Sequence, residues 1–184
     1  MTELLALGEP ADWVRRFLHL IPAGGTVLDL AAGRGRHARL LLDAGLGVIA
    51  ADRDADRLAN LSGHGRLQVI EADFETEDWP FAAGLFAGIV VVNYLHRPLF
   101  GHLTDALQDG GVLIYQTFAE GNEAHGRPKN PDFLLKPGEL LASFAPALSV
   151  VAYEHGIIHR PRPAVVQRLC AVKSPAPQSL GDGA

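Results

Sequence analysis

A chain of 184 residues falls within the span of one domain and is long enough to bury about two thirds of the surface its unfolded form exposes. With 48% hydrophobic and 20% charged residues, and glycine and proline spread along its length, it reads as neither disordered nor repetitive. A net charge of -5 without any long lysine or arginine block argues against a nucleic-acid partner, and no apolar run reaches the roughly 18 residues that a membrane span needs.

After Glu9-Pro10-Ala11-Asp12, residues Trp13, Val14, Phe17, Leu18 and Ile21 fall at helical spacing, so a leading helix is predicted, ended by Pro22 and Gly24-Gly25. Thr26 to Leu30 is a short apolar strand that turns through Gly33-Arg34-Gly35 into a helical pattern over 36–44, closed by Gly45. The unit repeats as strand 47–51, helix 54–61 and strand 67–71, followed by an acidic loop through Asp73 and Asp78. The uniformly apolar run 87–93 predicts a strand covered on both faces. A helix over 99–107, a tight turn at Asp109-Gly110-Gly111 and a fifth strand over 112–118 come next.

The rhythm then changes. Residues 119–137 are rich in glycine, proline, asparagine and histidine and too long for a plain connection, which marks a functional loop. A helix over 137–144 and strands over 148–154 and 165–172 complete the pattern. No helix separates the last two strands, so they form an antiparallel hairpin, turned at Arg160-Pro161-Arg162-Pro163. The fold class that follows is α/β, a Rossmann-like doubly wound, mostly parallel seven-stranded sheet with a C-terminal antiparallel hairpin. Its domain is predicted to span 1–174, with a disordered tail at 175–184. A single cysteine, Cys170, and the absence of a basic export signal around the 4–7 apolar run predict a cytoplasmic protein.

The residues at the strand ends carry the chemistry. Asp29 closes the first strand, and Gly33 and Gly35 in the following turn let a ligand approach the backbone. Asp52 stands at the end of the second strand, 19 residues after Gly33, where a carboxylate accepts hydrogen bonds from both ribose hydroxyls. The competing role of helix cap suits its neighbour Asp54 better. Asp73 follows the third strand, suited to an adenine amino group, with Phe74 to cover the ring. A dinucleotide-dependent oxidoreductase is the nearest competitor, since Gly33-Arg34-Gly35-Arg36-His37-Ala38 fits the looser nucleotide fingerprint. Asp29 opposes it, because an acid there repels a pyrophosphate.

The run Val27-Leu28-Asp29-Leu30-Ala31-Ala32-Gly33-Arg34-Gly35 resembles the glycine-rich first motif of class I S-adenosylmethionine (AdoMet) dependent methyltransferases, with Ala31 where a glycine is frequent. Asp52, Asp73-Phe74 and the Gly110-Gly111 turn follow the same family's order, and the resemblance covers about residues 10–173. Gly33-Arg34-Gly35-Arg36-His37 and Val48-Ile49-Ala50-Ala51-Asp52-Arg53 resemble the small bacterial members described as tellurite-resistance-like. The resemblance implies S-adenosyl-L-methionine as methyl donor and S-adenosyl-L-homocysteine (AdoHcy) as product. Asp29, Gly33 and Gly35 would then hold the methionine part, Asp52 the ribose, and Asp73 and Phe74 the adenine, with Ala31 and Arg53 also among the donor-binding residues.

Asn93-Tyr94-Leu95-His96-Arg97 follows the fourth strand, where such enzymes present groups to the methyl and the acceptor. Asn93 is therefore a donor-side and catalytic candidate, and Tyr94 and His96 are catalytic candidates. His96 serves either as a general base or as an ordinary loop histidine. Arg97, Arg127 and Lys129 are either the pocket for an anionic small-molecule acceptor or solvated surface charges. No metal site is expected, since no histidine has a cysteine partner and His155 and His159, which are four apart, are separated by Gly156 at a turn or strand end rather than placed on a helix. The alternative to an enzyme is a module that binds AdoMet without turnover.

Overall fold

Val27, Leu28, Asp29 and Leu30 are all buried, which puts β1 (Thr26–Leu30) in the interior of a sheet covered on both faces. In the computed structural model, which describes residues 8–178, β1 pairs in parallel with β2 (Gly47–Asp52) on one side and β4 (Phe86–Val92) on the other. The parallel array continues through β3 (Leu67–Glu71) beyond β2 and β5 (Leu107–Phe118) beyond β4. Beside β5 lies β7 (Ala164–Val172), antiparallel to it, and β6 (Ser149–Ile158) returns antiparallel at the edge. The order β3-β2-β1-β4-β5-β7-β6 is the predicted Rossmann-like sheet with its terminal hairpin.

Strand residues alternate between two cores, as a period of two demands. On one face, Val27, Val90 and Ile114 meet Trp13 of α1 (Asp12–Phe17) and Leu41 of α2 (Arg36–Asp43). On the other, Leu28, Val91 and Tyr115 meet Leu103 of α3 (Leu99–Ala106) and Phe144 of α4 (Glu139–Phe144). Burying both faces raises the floor of the site on a rigid platform, because interiors at this density resist displacement.

Several predicted boundaries move, each for a local reason. The leading helix ends at Phe17 and tightens into a 3-10 turn over Leu18–Leu20. The segment Ala55–Leu61 is also 3-10, which suits its two buried leucines: Leu58 and Leu61 are three apart and share a face at three residues per turn. The predicted turn at Asp109-Gly110-Gly111 is inside β5, which begins at Leu107 opposite Phe86 and then shifts register. The fourth strand is Phe86–Val92, one residue earlier than read, and α4 begins at Glu139 rather than 137. Of the tail predicted at 175–184, residues 179–184 lie outside the described residues, as does the apolar run at 4–7. Among the described residues no helix is long and apolar enough to cross a membrane.

Candidate active site

The carboxyl ends of β1 and β2 meet through Asp52. Its Oδ2 accepts from the Gly33 N–H at 2.7 Å and its Oδ1 from the Asp54 N–H at 3.1 Å, so it fastens the glycine-rich turn to the end of β2. Each carboxylate oxygen keeps further lone-pair capacity for a ribose hydroxyl. Asp54 makes no side-chain cap for the segment that follows it, contrary to the sequence expectation. Asp29 takes up capping instead. Its Oδ2 accepts from the Ala38 N–H at 2.8 Å, in the first turn of α2, where orphan N–H groups favour a carboxylate. The side chain is 1% exposed, and burial pushes its carboxyl up to about 7, against the pull of the Ala38 N–H and of Arg36.

The two motif glycines divide their work. A Cβ on Gly33, at φ +58°, would meet nothing within 4 Å and would point into open space at the ends of the strands. A Cβ on Gly35, at φ +81°, would stand 2.5 Å from Leu61 Cδ1 and 2.9 Å from Leu58 Cδ2. Gly33 thus leaves open space above the turn, whereas Gly35 lets α2 pack on the 3-10 segment. Gly35→Ala is expected to cost about 2 kcal/mol of stability, most of it left-handed backbone strain, because the leucine methyl ends can move. Gly33→Ala shares the strain but meets no contact, so its distinctive loss appears in ligand affinity. Thermal unfolding and calorimetry on both variants check this, and equal effects on stability and affinity in the two would refute the division.

Two non-glycine residues adopt left-handed backbone among the described residues, Ala31 at φ +54° and Asn93 at φ +61°. They follow β1 and β4, adjacent strands on either side of the point where the strand order reverses. Ligands bind at such switch points, and strained residues collect at functional sites. Arg53 is exposed just past Asp52. Asp73 is half-buried after β3 and accepts from the Glu75 N–H at 3.1 Å, folding the chain into a tight turn. Phe74 is 6% exposed and packs its ring against Trp79 and Phe81, at 5.7 and 6.4 Å between centroids.

A cleft of about 200 Å³ opens at the ends of β4 and β5. Asn93, Tyr94 and Leu95 form its floor with Thr117 and Phe118, Glu75 stands at one side, and Pro128 and Phe133 come over from the long loop. Burial first, then the Glu75 and Asp73 carboxylates, push the Tyr94 phenol up to about 12. It therefore stays protonated near neutrality, serving as a hydrogen-bond group rather than a base. His96 is half-buried and does not line the cleft. The apolar part of the loop is split: Leu134 and Leu135 are buried in the core, while Phe133, 44% exposed, lines the cleft.

Arg97, Arg127 and Lys129, read as either an anion pocket or solvated surface charges, are not gathered. Arg97 is consumed by a two-pronged ion pair with Glu139 and by the carbonyls of Asp132 and Leu134, the last at 2.8 Å. Burial raises the Glu139 carboxyl, but the Arg97 guanidinium and the Lys136 N–H outweigh it and hold it below its ordinary value. Arg127 and Lys129 are exposed and outside the lining. Sequence reading also missed Glu75 and Thr117 in the cleft and the seating of the N-terminal segment, where Arg36 donates to Glu9 O and Ala11 N donates to His37 Nε2 at 3.2 Å. No group of metal-ligating side chains occurs among the described residues.

A β7 antiparallel to β5 departs from the dinucleotide-binding order 3-2-1-4-5-6 and defines a Rossmann-like methyltransferase fold. A methyltransferase-domain family matches residues 3–146, and the chain belongs to that family. Among curated proteins none matches. The chain is similar to TehB from Haemophilus influenzae, at 18% identity and a TM-score of 0.70, over 88% of this chain and 61% of TehB. It is similar to an S-adenosylmethionine dependent methyltransferase from Mesorhizobium loti, at 19% identity and a TM-score of 0.68, over 91% of this chain and 100% of that one. A 1,6-didemethyltoxoflavin-N1-methyltransferase from Burkholderia thailandensis, with 1,6-didemethyltoxoflavin and S-adenosylhomocysteine bound, shares 20% identity and a TM-score of 0.63, over 88% and 76% of the two chains.

Proposed function

We propose that this protein, as one domain over 1–174 working in the cytoplasm, transfers a methyl group from AdoMet to a small-molecule acceptor. The observation that carries the reading is the meeting of two half-sites across the switch point. Gly33 and Asp52 offer a backbone approach and a ribose ligand on the β1–β2 side, and the cleft opens on the β4–β5 side. Gly33 and Ala31 would border the methionine part of the donor, Asp52 and Arg53 its ribose, and Asp73 its adenine. Asp29 and Gly35 would act beneath them by fixing the start of α2. Phe74 would bound the adenine side through its aromatic cluster.

AdoMet, when bound, supplies an electrophilic methyl carbon on a sulfonium. The acceptor's lone pair forms the new bond to that carbon while the carbon–sulfur bond breaks and its electron pair passes to sulfur, leaving neutral AdoHcy. Asn93, left-handed at the end of β4, and the protonated Tyr94 orient the acceptor. Alignment and exclusion of water supply most of the acceleration in such a displacement. The test is incubation of the pure protein with labelled AdoMet and a broad acceptor panel. Methylated product lost in Gly33→Ala supports the reading. AdoMet binding without product on any acceptor supports the second reading, a binding module, which the absence of His96 from the cleft favours.

The loop over 121–137 would be the acceptor-side lid. Asn122, 1% exposed, ties its near end by donating to Pro128 O and accepting from the Val165 N–H, and Arg97 ties its far end. Pro128 and Phe133 reach the cleft from between these anchors. Removing residues 123–129 is expected to lower turnover at least tenfold, a loss of the size a water-excluding contact provides, while AdoMet affinity changes little. Unchanged turnover in the shortened protein would rule the lid out.

A further inference from the structure

We infer that the acceptor is an amine that arrives as an ammonium ion on an apolar, ring-sized body, with its charged head beside Glu75, whose carboxylate takes one ammonium proton before the freed nitrogen lone pair attacks the methyl carbon, and its body against Phe118 and Phe133. The inference rests on the methyl-transfer reading and names the chemistry of its acceptor cleft. Glu75 is the one charged side chain in the lining. The other polar groups, Asn93, Thr117 and the protonated Tyr94, carry no charge. The remaining lining, Leu95, Phe118, Pro128 and Phe133, is apolar, and its two rings with that of Tyr94 make three aromatic groups. A carboxylate facing aromatic rings suits an organic cation, whose charge is attracted to the ring faces as well as to the acid.

The wider field has the same sign. Around Tyr94 the carboxylates of Glu75, Asp73 and Asp52 face a single guanidinium, Arg53. AdoMet brings two positive groups and one negative, so a bound donor offsets one of the two surplus negative charges and leaves the other for the acceptor. An oxyanion meets the reverse. The cation best placed to receive one, Arg97, has its guanidinium committed to Glu139 and two backbone carbonyls, and breaking such a pair to admit an anion would strand Glu139.

The test uses the full chain saturated with AdoHcy and three probes of one shape, benzylammonium, benzyl alcohol and benzoate, with tellurite as a fourth, titrated by ligand-observed NMR. Benzylammonium is expected to bind best and benzoate worst. Glu75→Gln should weaken benzylammonium about fivefold, the scale of a solvent-accessible ion pair, and leave the alcohol unchanged. Glu75→Lys should reverse the order of the two ions. Glu75 is exposed and makes no ion pair among the described residues, so neither change removes a folding contact. Tighter binding of benzoate or tellurite, an order unchanged in both variants, or no binding by any probe would overturn the inference. AdoHcy affinity is read on the same samples: failure to bind AdoHcy overturns the donor reading and the inference together, whereas AdoHcy binding with an anion preference overturns the inference alone.

Discussion

Asp52→Ala is expected to weaken AdoMet binding by about 1 to 3 kcal/mol, the cost of losing charge-assisted hydrogen bonds to the ribose. It should also lower the stability of the free protein by about 2 to 3 kcal/mol. The second effect follows from the two N–H groups, of Gly33 and Asp54, that the carboxylate receives at a position only 7% exposed. Removing the acceptor leaves both donors short of a partner, and each such orphan costs roughly 1 to 3 kcal/mol, less whatever water restores. Read from sequence, Asp52 served only the ribose and its loss would have left the fold intact. On the proposed donor site, the bond to Gly33 would couple the two roles, because the turn bordering the donor would be held by the residue that binds it. Calorimetry with AdoHcy and thermal unfolding on the same variant separate them. A fall in stability with unchanged affinity would remove Asp52 from the donor site and leave it a loop fastener.

What was legible in the sequence is what depends on local pattern. The run 86–92 is apolar on both faces, and 26–30 and 67–71 are short β-rich runs bounded by turn or loop residues, so their strands could be read nearly to the residue. Leu58 and Leu61 were equally visible, but whether their segment winds as α or 3-10 is decided by the fit against Gly35, which is a tertiary contact. The start of β5 was hidden for a similar reason. Asp109-Gly110-Gly111 has the composition of a turn, and only pairing of Leu107 with Phe86 keeps it within the strand.

The placement of Asp29, Asp52 and Asp73 at or just past successive strand ends was legible because it follows a fixed order. The acceptor half was not. Glu75 and Thr117 are 42 residues apart and come together only because β3 and β5 end on the same side of the sheet. Arg97 was visible as a cation, either an anion ligand or a surface charge, but its partner Glu139 lies 42 residues on, and that pairing makes it a clamp on the loop. Phe133 and its neighbours Leu134 and Leu135 form one apolar run in sequence. In the fold they have opposite functions, one residue lining the cleft and two anchoring the loop in the core.

Two buried groups beside the glycine-rich turn make a further result expected: between pH 4.5 and 6.5 the stability of the free protein should be nearly flat, and single substitutions should tilt it in opposite directions. Burial lifts Asp29 from its ordinary 3.8 to about 7, so over this window the folded chain holds a proton that the unfolded chain has released. The unfolded state binds fewer protons, and stability falls as pH rises, by about 1.4 kcal/mol per pH unit. Burial first, then the Arg36 and Arg15 charges, press His37 from 6.5 down to about 3. Here the unfolded chain holds the proton and the folded chain does not, so stability rises with pH by the same amount. The two slopes cancel in the native protein. Asn in place of Asp29 keeps an oxygen for the Ala38 N–H but cannot titrate, which leaves the His37 term alone. Asp29→Asn should therefore gain about 3 kcal/mol between pH 4.5 and 6.5. His37→Gln can still accept from the Ala11 N–H and leaves the Asp29 term alone, so it should lose about as much over the same window. Denaturant unfolding of the three proteins at four or five pH values measures the slopes directly. Three parallel curves would show that neither group keeps an altered proton affinity in the folded chain, and Asp29 would then be an ordinary ionised cap on α2.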